Sequence, residues 1–413
     1  MAKIKQKKRR DLKIIWSSNA PHTNSGYAVA TRDILYRLLQ DGWNIACIGF
    51  FGAEGYHMYL HGEDLIDDRF KGTKLKIYPK MNEPYGGDAL VHHSKDFGAH
   101  VAFAMQDLQT LDTQALNTLA SNGTKFIPYL PIDQDPPLPL IFNNLNIAHK
   151  IVTFSQFGKK VLQDKGYTSN LIVEGVDIEL HKPLNRAKCR EEFGLPQDAF
   201  IFGMISANKE NPPRKGFQEA LEAFKLFADK HPEARLFFHT QQTSGSSFPI
   251  LEYGRHLGIA DKLLFYNQYM ATFKANVVEV NKQINAFDCV LHPSQTEGFG
   301  MLVVEAQAAG VPVIVNRCHS QPELVIEGVT GEVCETGKAW WRNLNAYVYP
   351  ADVNSLYEKM EIVYARSKDP KAAKKSSDAA REHVLKNYNI DTIVKEKWIP
   401  YLEDLQDEIL PNS

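Results

Sequence analysis

Short runs of apolar residues alternate with stretches in which apolar residues recur every three or four positions, along nearly the whole chain. The short runs predict buried strands, and the periodic stretches predict amphipathic helices. The predicted strands are residues 12–16, 45–50, 75–78, 100–105, 125–130, 150–154, 171–173, 201–206, 235–239, 263–266, 289–292 and 313–316. The clearest helices are 28–40, 218–230, 357–366 and 372–387. Strands that alternate with helices are typical of parallel doubly wound sheets.

The strand pattern breaks at residues 175–183, where the polar segment GVDIELHKP ends in a proline. A chain of 413 residues is longer than a single hydrophobic core usually serves. We therefore predict an α/β protein with two Rossmann-like domains, residues 11–183 and 184–388, followed by a terminal segment at 389–413. Doubly wound sheets bind ligands at the carboxyl ends of their strands, so the expected binding site is a cleft between the domains.

The composition, with 44% hydrophobic and 23% charged residues, is that of a soluble globular protein. No apolar run approaches the roughly 18 residues of a membrane span, and no apolar signal core follows the first lysines. The cysteines are odd in number and scattered, which favours reduced thiols over disulfides or metal ligands. They are Cys47, Cys189, Cys289, Cys318 and Cys334. We therefore expect a cytoplasmic protein.

Six positive charges precede the first acidic residue: Lys3, Lys5, Lys7, Lys8, Arg9 and Arg10. Because the formal net charge of the whole chain is only −2, the rest of the chain is acidic. Such a run is most often a solvated tail, so residues 1–10 are predicted to be a basic disordered tail. The alternative is an anchor that binds nucleic acid or an anionic membrane through phosphate contacts.

The segment most informative about chemistry is residues 297–305, EGFGMLVVE, between a predicted strand and a helix-forming run. Gly298 and Gly300 have no Cβ, so a ligand can approach the backbone closely. A helix that begins just after them offers unpaired N–H groups and the positive end of its dipole to an anion. With Glu297 on one side and Glu305 on the other, the segment suits a ligand with a diphosphate and several hydroxyls, such as a nucleotide-sugar.

Several stretches of the second half resemble the retaining nucleotide-sugar glycosyltransferases of family 4, which have the GT-B fold. They are HPSQTEGFGMLVVEA at 292–306, GVPVIVN at 310–316, QPELV at 321–325 and GVTG at 328–331. Residues 175–183 resemble the interdomain signature of the same family. The resemblance covers most of residues 11–405 and is strongest at 171–331. It implies two domains that face each other across a cleft, with a last helix at about 390–405 crossing back to the first domain.

The resemblance also implies where a donor binds. The loop at residues 207–217, ANKENPPRKGF, follows a predicted strand and carries Arg214 and Lys215. Arginine binds phosphate as a fork and lysine as a point charge. Family members use an arginine at the strand end and a lysine before a glycine. Lys215 matches the lysine, whereas Asn208 replaces the arginine, so we expect Arg214 to compensate. The alternative is a solvated basic loop.

Glu305 is expected inside the helix, within reach of a nucleotide ribose, where a carboxylate can accept hydrogen bonds from both ribose hydroxyls. Glu297, in the loop, is better placed to contact the transferred sugar. The resemblance implies that the amides of residues 298–301 hold sugar and phosphate. The expected donor-binding residues are therefore Gly26, Asn208, Arg214, Lys215, Glu297, Gly298, Phe299, Gly300, Met301, Leu302 and Glu305. The expected catalytic residues are Glu297, Lys215, Arg214 and Asp133.

Two loops of the first half complete the expected cleft. Gly26 is the glycine that remains in the loop that closes over donor phosphate and acceptor in the family; a plain turn is the alternative. Asp133 stands near the position of the family's histidine, close to the reacting sugar, and Asp107 is the other acid within reach. Asp133 and Asp135 also spell the Asp-x-Asp of metal-dependent transferases, but proline-flanked loops favour Asp for turns. So short a pattern is common by chance, and we do not expect a divalent metal.

We expect a transferase that moves a hexosyl or pentosyl group from a nucleotide diphosphate sugar to a hydroxyl acceptor with retention, without a required cofactor. The acceptor is a glycan, a lipid, a small molecule or a modified base in DNA. The alternatives are an epimerase with the same fold, a glycoside hydrolase, and a non-catalytic module that docks on nucleic acid. His319 and Ser320 stand where relatives often have two glycines, which leaves the donor sugar open.

Overall fold

The computed structural model of the protein describes residues 10–65, 67–242, 246–273, 276–342 and 345–411. The predicted basic tail lies outside them except for its last residue.

Arg10 does not belong to a free tail, contrary to the prediction for residues 1–10. Its side chain is 8% exposed and forms ion pairs with Asp41 at 2.8 Å and Glu403 at 2.6 Å. Its guanidinium also lies over the ring of Trp43, 4.5 Å from the centroid. Two carboxylates and an aromatic face therefore hold this arginine against the folded protein.

The first domain is a sheet of eight strands with helices on both faces. Its strands are β1 (Lys13–Asn19), β2 (Asn44–Phe51), β3 (Met58–His61), β4 (Lys74–Pro79), β5 (Val101–Ala104), β6 (Lys125–Leu130), β7 (Val152–Thr153) and β8 (Asn170–Leu171). Its helices are α1 (Gly26–Asp41), α2 (Gly87–Phe97), α3 (Thr113–Ser121), α4 (Pro139–Leu145) and α5 (Gln156–Asp164). The strand order is β3-β4-β2-β1-β5-β6-β7-β8. Strand β3 runs antiparallel to β4, and the other neighbouring pairs are parallel.

The second domain is a parallel sheet with the order β11-β10-β9-β12-β13-β14. Its strands are β9 (Ile201–Ile205), β10 (Arg235–His239), β11 (Leu263–Phe265), β12 (Cys289–His292), β13 (Val313–Asn316) and β14 (Gly331–Cys334). Two short strands, β15 (Trp340–Trp341) and β16 (Tyr347–Val348), pair antiparallel beside it. The helices are α6 (Arg186–Glu192), α7 (Phe217–Lys230), α8 (Ile250–His256), α9 (Gln268–Phe273), α10 (Val277–Ala286), α11 (Met301–Ala308), α12 (Val353–Ser367) and α13 (Pro370–Asn387).

The chain then returns to the first domain, as the GT-B resemblance implied. Helix α14 (Ile390–Ile393), a π-helical turn (Val394–Trp398) and α15 (Ile399–Ile409) form the returning segment. Trp398 is fully buried, with its ring 5.5 Å from that of Trp16 and 5.0 Å from that of Tyr129. Burial of a large aromatic side chain fixes the end of the chain onto the first domain. The predicted two-domain fold with a crossing C-terminal helix is confirmed.

The central strands of each sheet are buried on both faces, as parallel strands covered by helices must be. Their carboxyl ends face the other domain. The loops after β1, β5 and β6 bring Gly26, Asp107 and Asp133 to the cleft, and those after β9 and β12 bring Lys215 and Glu297. The fold thus gathers loops that are distant in the sequence.

Some elements differ from the prediction. Strands β3, β14, β15 and β16 carry no strong apolar run and were not predicted, and β7 and β8 are shorter than expected. Strand β7 pairs with β6 and with β8 at only two positions each, so few hydrogen bonds between strands support a longer β7 or β8. All five cysteines are buried, free thiols. In the part of the chain that the structure describes, no helix is both long and apolar enough to cross a membrane.

Candidate functional site

Helix α11 begins at the cleft without a side-chain cap. Its N-cap is Gly300, which has a φ of +119° and no side chain that could accept from the helix. The N–H of Val303 donates to the carbonyl oxygen of Gly300 at 2.9 Å, so the N–H groups of Met301 and Leu302 are those that can meet a ligand, at the positive end of the helix dipole. A side chain at Gly300 would be strained at this φ, and a Cβ at Gly298 would lie 2.6 Å from that of Pro131 in the first domain. The backbone conformation therefore favours glycine at position 300, and the close approach of Pro131 favours glycine at position 298.

Two cations from the loop between β9 and α7 stand beside this helix terminus. The ammonium of Lys215 lies 2.7 Å and 3.1 Å from the two carboxylate oxygens of Glu297. Arg214 lies 3.9 Å from Glu297 and 3.0 Å from Glu210. The next residue, Gly216, has a φ of +70° and turns the chain into α7. The predicted partners Arg214, Lys215 and Glu297 are therefore brought together.

These groups line a cavity of about 370 Å³ between the domains. Its walls are Asn19, Ser25, Gly26, Tyr27, Asp107, Pro131, Asp133, Phe154, Glu174, Lys209, Arg214, Lys215, Glu297, Gly298, Phe299, Gly300 and Met301. Most of the predicted donor-binding residues and all four predicted catalytic residues are among them. Both domains contribute residues to the lining, so the cavity forms only when the two folded domains pack against each other.

The charge on Glu297 is set by its neighbours. Burial by itself raises the pKa of Glu297, but the Lys215 ammonium and His292 hold it well below its ordinary value. Nε2 of His292 lies 3.7 Å from the carboxylate. Ser320 fixes the backbone of the same loop, because its hydroxyl donates to the carbonyl oxygens of Glu297 at 2.8 Å and Phe299 at 2.9 Å. Glu297 is therefore an ionised group held in one place.

The wall contributed by the first domain is acidic. Asp107 accepts a hydrogen bond of 3.1 Å from the hydroxyl of Tyr27, and burial together with Asp133 raises the pKa of Asp107 to about 6. Burial also raises the pKa of Asp133, against the opposing charge of Arg214. A pair of carboxyl groups in one desolvated wall holds protons more tightly than free acids do. This wall faces the basic loop of the second domain.

A second cavity of about 240 Å³ adjoins the first, and Ser25, Gly26 and Met301 line both. Leu302 and Glu305 of α11 line the second cavity, as the prediction of donor-binding residues requires. The two cavities therefore meet at Met301, the first residue of α11.

Glu305 is directed into the second cavity and not into solvent. Its side chain is 13% exposed, and Nε2 of His181 lies 3.8 Å from one oxygen. Burial and the nearby Asp33 raise the pKa of Glu305 to about 7. His181 is itself fully buried, and burial lowers the pKa of His181 to about 4, so its ring is neutral. A neutral imidazole and a carboxyl group can both form hydrogen bonds with the hydroxyl groups of a ligand.

Asn208 does not reach either cavity, contrary to its predicted role in donor binding. Its amide donates to the carbonyl oxygens of Gln241 at 3.1 Å and Phe248 at 2.8 Å, and accepts from the N–H of Phe248 at 2.9 Å. The side chain is 1% exposed. These bonds occupy the amide fully in fixing a neighbouring loop. The guanidinium group that the basic loop contributes to the larger cavity is therefore that of Arg214.

His319 and Ser320 also have structural roles in the described part of the chain. The ring of His319 lies 4.9 Å from that of Phe157 and 5.5 Å from that of Tyr349, at a φ of +51°. Burial lowers the pKa of His319 to about 4.

Among the described residues, no group of three or more His, Cys, Asp and Glu side chains is arranged to hold a metal ion.

Sequence reasoning missed several residues of the cleft. Tyr27, Phe154 and Glu174 line the larger cavity, and His292 supports Glu297. Tyr27 follows the predicted Gly26, and Glu174 directly precedes the interdomain segment, so adjacency to a known motif was the signal for both. Phe154 carried no such signal, because its position depends on packing against Phe299.

The architecture defined by two doubly wound domains, a returning C-terminal segment and a cleft at the strand ends is GT-B. Residues 185–348, about two-fifths of the chain, match the family described as "Glycosyl transferases group 1". The matched part contains Arg214, Lys215 and Glu297 but not the acidic wall of the first domain.

Among curated proteins, the chain is similar to D-inositol 3-phosphate glycosyltransferase of Mycobacterium leprae, with 31% identity over 160 residues. That alignment covers 38% of this chain and 34% of the relative. The enzyme of the same description from Mycolicibacterium gilvum is 29% identical over 191 residues, covering 45% and 40%. The matches thus extend over little more than a third of the relatives' length.

Among solved structures, the chain is similar to sucrose-phosphate synthase from Thermosynechococcus elongatus, with a TM-score of 0.75 and 16% identity over 95% of this chain and 99% of the other. The Anabaena protein HepE in complex with UDP-glucose gives a TM-score of 0.69 and 17% identity, covering 96% and 100%. At these identities the similarity establishes the GT-B fold.

Proposed function

We propose that this protein is a retaining glycosyltransferase of family 4 that moves a hexosyl or pentosyl group from a nucleotide diphosphate sugar to a hydroxyl acceptor. The observation that carries the proposal is the meeting of the uncapped end of α11 with Lys215 and Arg214, between the carboxyl groups of Glu297 and Glu305. An anion site between two carboxyl groups matches a diphosphate between two polyols.

The proposed donor lies along both cavities. Glu305 contacts the ribose in the smaller cavity, the open N–H groups of α11 bind the diphosphate, and Glu297 contacts the sugar in the larger cavity. HepE is described in complex with UDP-glucose, so we propose a uridine diphosphate sugar as the first donor to test.

In the proposed reaction, Lys215 and Arg214 stabilise the negative charge that develops on the departing diphosphate. These cations are preorganised, because Lys215 is held by Glu297 and Arg214 by Glu210 before any donor arrives. The acceptor attacks the same face of the sugar, and the leaving phosphate takes its proton, so no separate base is required. Since two cations and a helix terminus supply positive charge, we propose that no divalent metal is required.

Asp133 is proposed to contact the transferred sugar or the acceptor from the first domain. It lines the larger cavity opposite Glu297, and Arg214 interacts with both carboxyl groups. Closure of the cleft around these groups would exclude water and favour transfer over hydrolysis. We also propose a reducing compartment such as the cytoplasm, because the five cysteines are free thiols.

A thermal-shift panel of nucleotide-sugars tests the donor. We expect one UDP-sugar to raise the melting temperature, because a ligand that binds the folded state stabilises it by mass action. Lys215→Met should remove this shift, whereas Lys160→Met, at a side chain that is 76% exposed on α5, should preserve it. The absence of a shift with every nucleotide-sugar would refute the proposal.

Product analysis separates the transferase from the competing functions. With donor and an acceptor panel, NMR of the product should show the anomeric configuration of the donor sugar. An epimerase would convert the donor to a new nucleotide-sugar without acceptor, and a DNA-docking module would bind DNA without turnover. Either result would replace the proposed function.

A further inference from the structure

Glu174 is a buried carboxyl group in the cleft. It follows β8 at the end of the first domain, is 4% exposed, and lines the larger cavity. In the described ranges of the chain, its side chain makes no hydrogen bond and no ion pair. A buried acid without a partner is unfavourable, so such a group is rarely left idle in a folded protein.

The backbone holds Glu174 where it is. A Cβ on the next residue, Gly175, would lie 2.8 Å from Cδ1 of Ile393 and 2.9 Å from Cα of Ile390 in the returning segment. The N–H of Val176 donates to the carbonyl oxygen of Tyr388 at 2.8 Å. These contacts join the interdomain segment at residues 175–183 to the start of the returning segment, the two places where the chain passes between the domains. Glu174 therefore cannot turn out to solvent without disturbing the interdomain segment.

The lining of the larger cavity indicates which part of a ligand Glu174 meets. Glu174 comes from the first domain, whereas Arg214, Lys215, Gly300 and Met301 in the same lining come from the second. In the proposed donor, these groups of the second domain bind the diphosphate. Glu174 therefore lines the cavity that holds the diphosphate, on the side of the first domain.

We propose that Glu174 is a donor-binding residue that acts as a neutral carboxylic acid and donates a hydrogen bond to a diphosphate oxygen. This inference rests on the proposed function. An ionised carboxylate in the same place would repel the phosphate, whereas the acid form supplies the proton that the hydrogen bond needs.

The electrostatic surroundings support the acid form. Burial, followed by the charges of Glu297 and Glu305, raises the pKa of Glu174 to about 8. The other titratable or charged groups that line the same cavity are Tyr27, Asp107, Asp133, Lys209, Arg214 and Lys215, and Tyr129 of β6 also interacts with Glu174. A bound diphosphate adds negative charge and raises the pKa further, so binding above pH 8 requires proton uptake.

Calorimetry with a nucleoside diphosphate tests this inference. The probe is uridine diphosphate, or the diphosphate of whichever donor the thermal-shift panel identifies, titrated into the full-length protein at pH 7 and pH 9 in the presence of EDTA. Two buffers with different heats of ionisation at pH 9 report proton uptake. The variants are Glu174→Gln, which keeps a neutral donor of similar shape, and Glu174→Ala, which removes it.

The control is Glu219→Gln, at a partly buried residue on α7 that does not line either cavity. Burial raises the pKa of Glu219 to about 7, so this variant removes a comparable titration elsewhere. Titration of the diphosphate itself is common to all proteins in the comparison. Only differences between the wild type and the Glu174 variants therefore bear on the inference.

We expect wild-type affinity to fall about tenfold more than that of Glu174→Gln between pH 7 and pH 9, because binding at pH 9 must first protonate Glu174, about one unit above its pKa of about 8. Wild type should take up a proton at pH 9 in excess of that taken up by Glu174→Gln. Glu174→Ala should bind about tenfold more weakly at pH 7, and Glu219→Gln should match wild type.

Two results would overturn the inference while leaving the proposed function intact: unchanged binding by Glu174→Ala, and the same pH dependence in Glu174→Gln as in wild type. Binding that appears only when Mg²⁺ replaces EDTA would overturn both the inference and the proposed independence from divalent metal, because a metal, and not a proton, would then neutralise the carboxylate. If wild type binds no nucleoside diphosphate at all, both the proposed function and the inference fail.

Discussion

The pair formed by Lys215 and Glu297 gives a quantitative test of the site. Both side chains are largely buried, 16% and 14% exposed, and the ammonium lies 2.7 Å from the carboxylate. Removing one partner of a buried ion pair typically destabilises a protein by about 3–5 kcal/mol, because a charge is left without compensation. Arg214 remains 3.9 Å from Glu297. We therefore expect Lys215→Met to lower the free energy of unfolding by about 3 kcal/mol, at the lower end of that range.

The measurement is urea unfolding followed by far-UV circular dichroism at pH 7. The double variant Lys215→Met/Glu297→Gln should recover at least half of the lost stability, since it removes both charges together, yet neither variant should bind donor. Lys160→Met, on the surface, should change stability by less than about 0.5 kcal/mol. A loss below about 1 kcal/mol in the single variant, or no recovery in the double variant, would show that the pair is not the desolvated contact described.

Three further substitutions test other parts of the structure. The folded pKa of Glu305 is about 7, above its unfolded value, so its contribution to stability is present below about pH 4 and lost as the pH rises through 7. Glu305→Gln should therefore be more stable than wild type by about 3 kcal/mol at pH 8 and nearly equal at pH 4, in urea unfolding; equal stability at pH 8 would contradict the burial. Gly216→Ala would place a Cβ 2.2 Å from the carbonyl oxygen of Pro293 at a φ of +70°, so it should destabilise by at least about 1–2 kcal/mol and weaken donor binding in calorimetry. An unaltered affinity would mean that the loop does not need this backbone. Arg37 is 5% exposed and pairs with Asp177 at 2.7 Å, so Arg37→Met should lower unfolding stability by about 3 kcal/mol. A loss below about 1 kcal/mol would show that Arg37 does not hold the interdomain segment.

The pH dependence of stability distinguishes the carboxyl groups of the cleft. The pKa of Glu297 is held below its ordinary value, so its stabilisation is present above about pH 4 and is lost only as the pH falls through the lower folded value. The pKa of Glu174 is raised to about 8, so the contribution of its acid form to stability is lost as the pH rises through that value. Opposite signs within one cleft follow from one difference: Glu297 has a cationic partner, whereas no described residue forms an ion pair with Glu174.

The sequence by itself determined the class of fold and the centre of the site. Alternating strand and helix patterns lead to two parallel sheets because each sheet must bury both faces. The glycines around Phe299 are local requirements of backbone shape, so residues 297–305 could be recognised in the chain. Lys215 was found because it is a cation in the loop after a predicted strand and matches the lysine before a glycine in the family that the chain resembles.

Tertiary structure alone decided which side chains meet across the cleft. Lys215 and Glu297 are 82 positions apart, and their contact depends on strands β9 and β12 lying side by side. Asn208 could not be excluded from the site until the loop that occupies its amide was seen. Glu174 has no motif of its own; its burial and its place in a cavity lined by both domains arise only when the two domains pack together with the returning segment. Long-range packing sets these properties, and no local pattern encodes them.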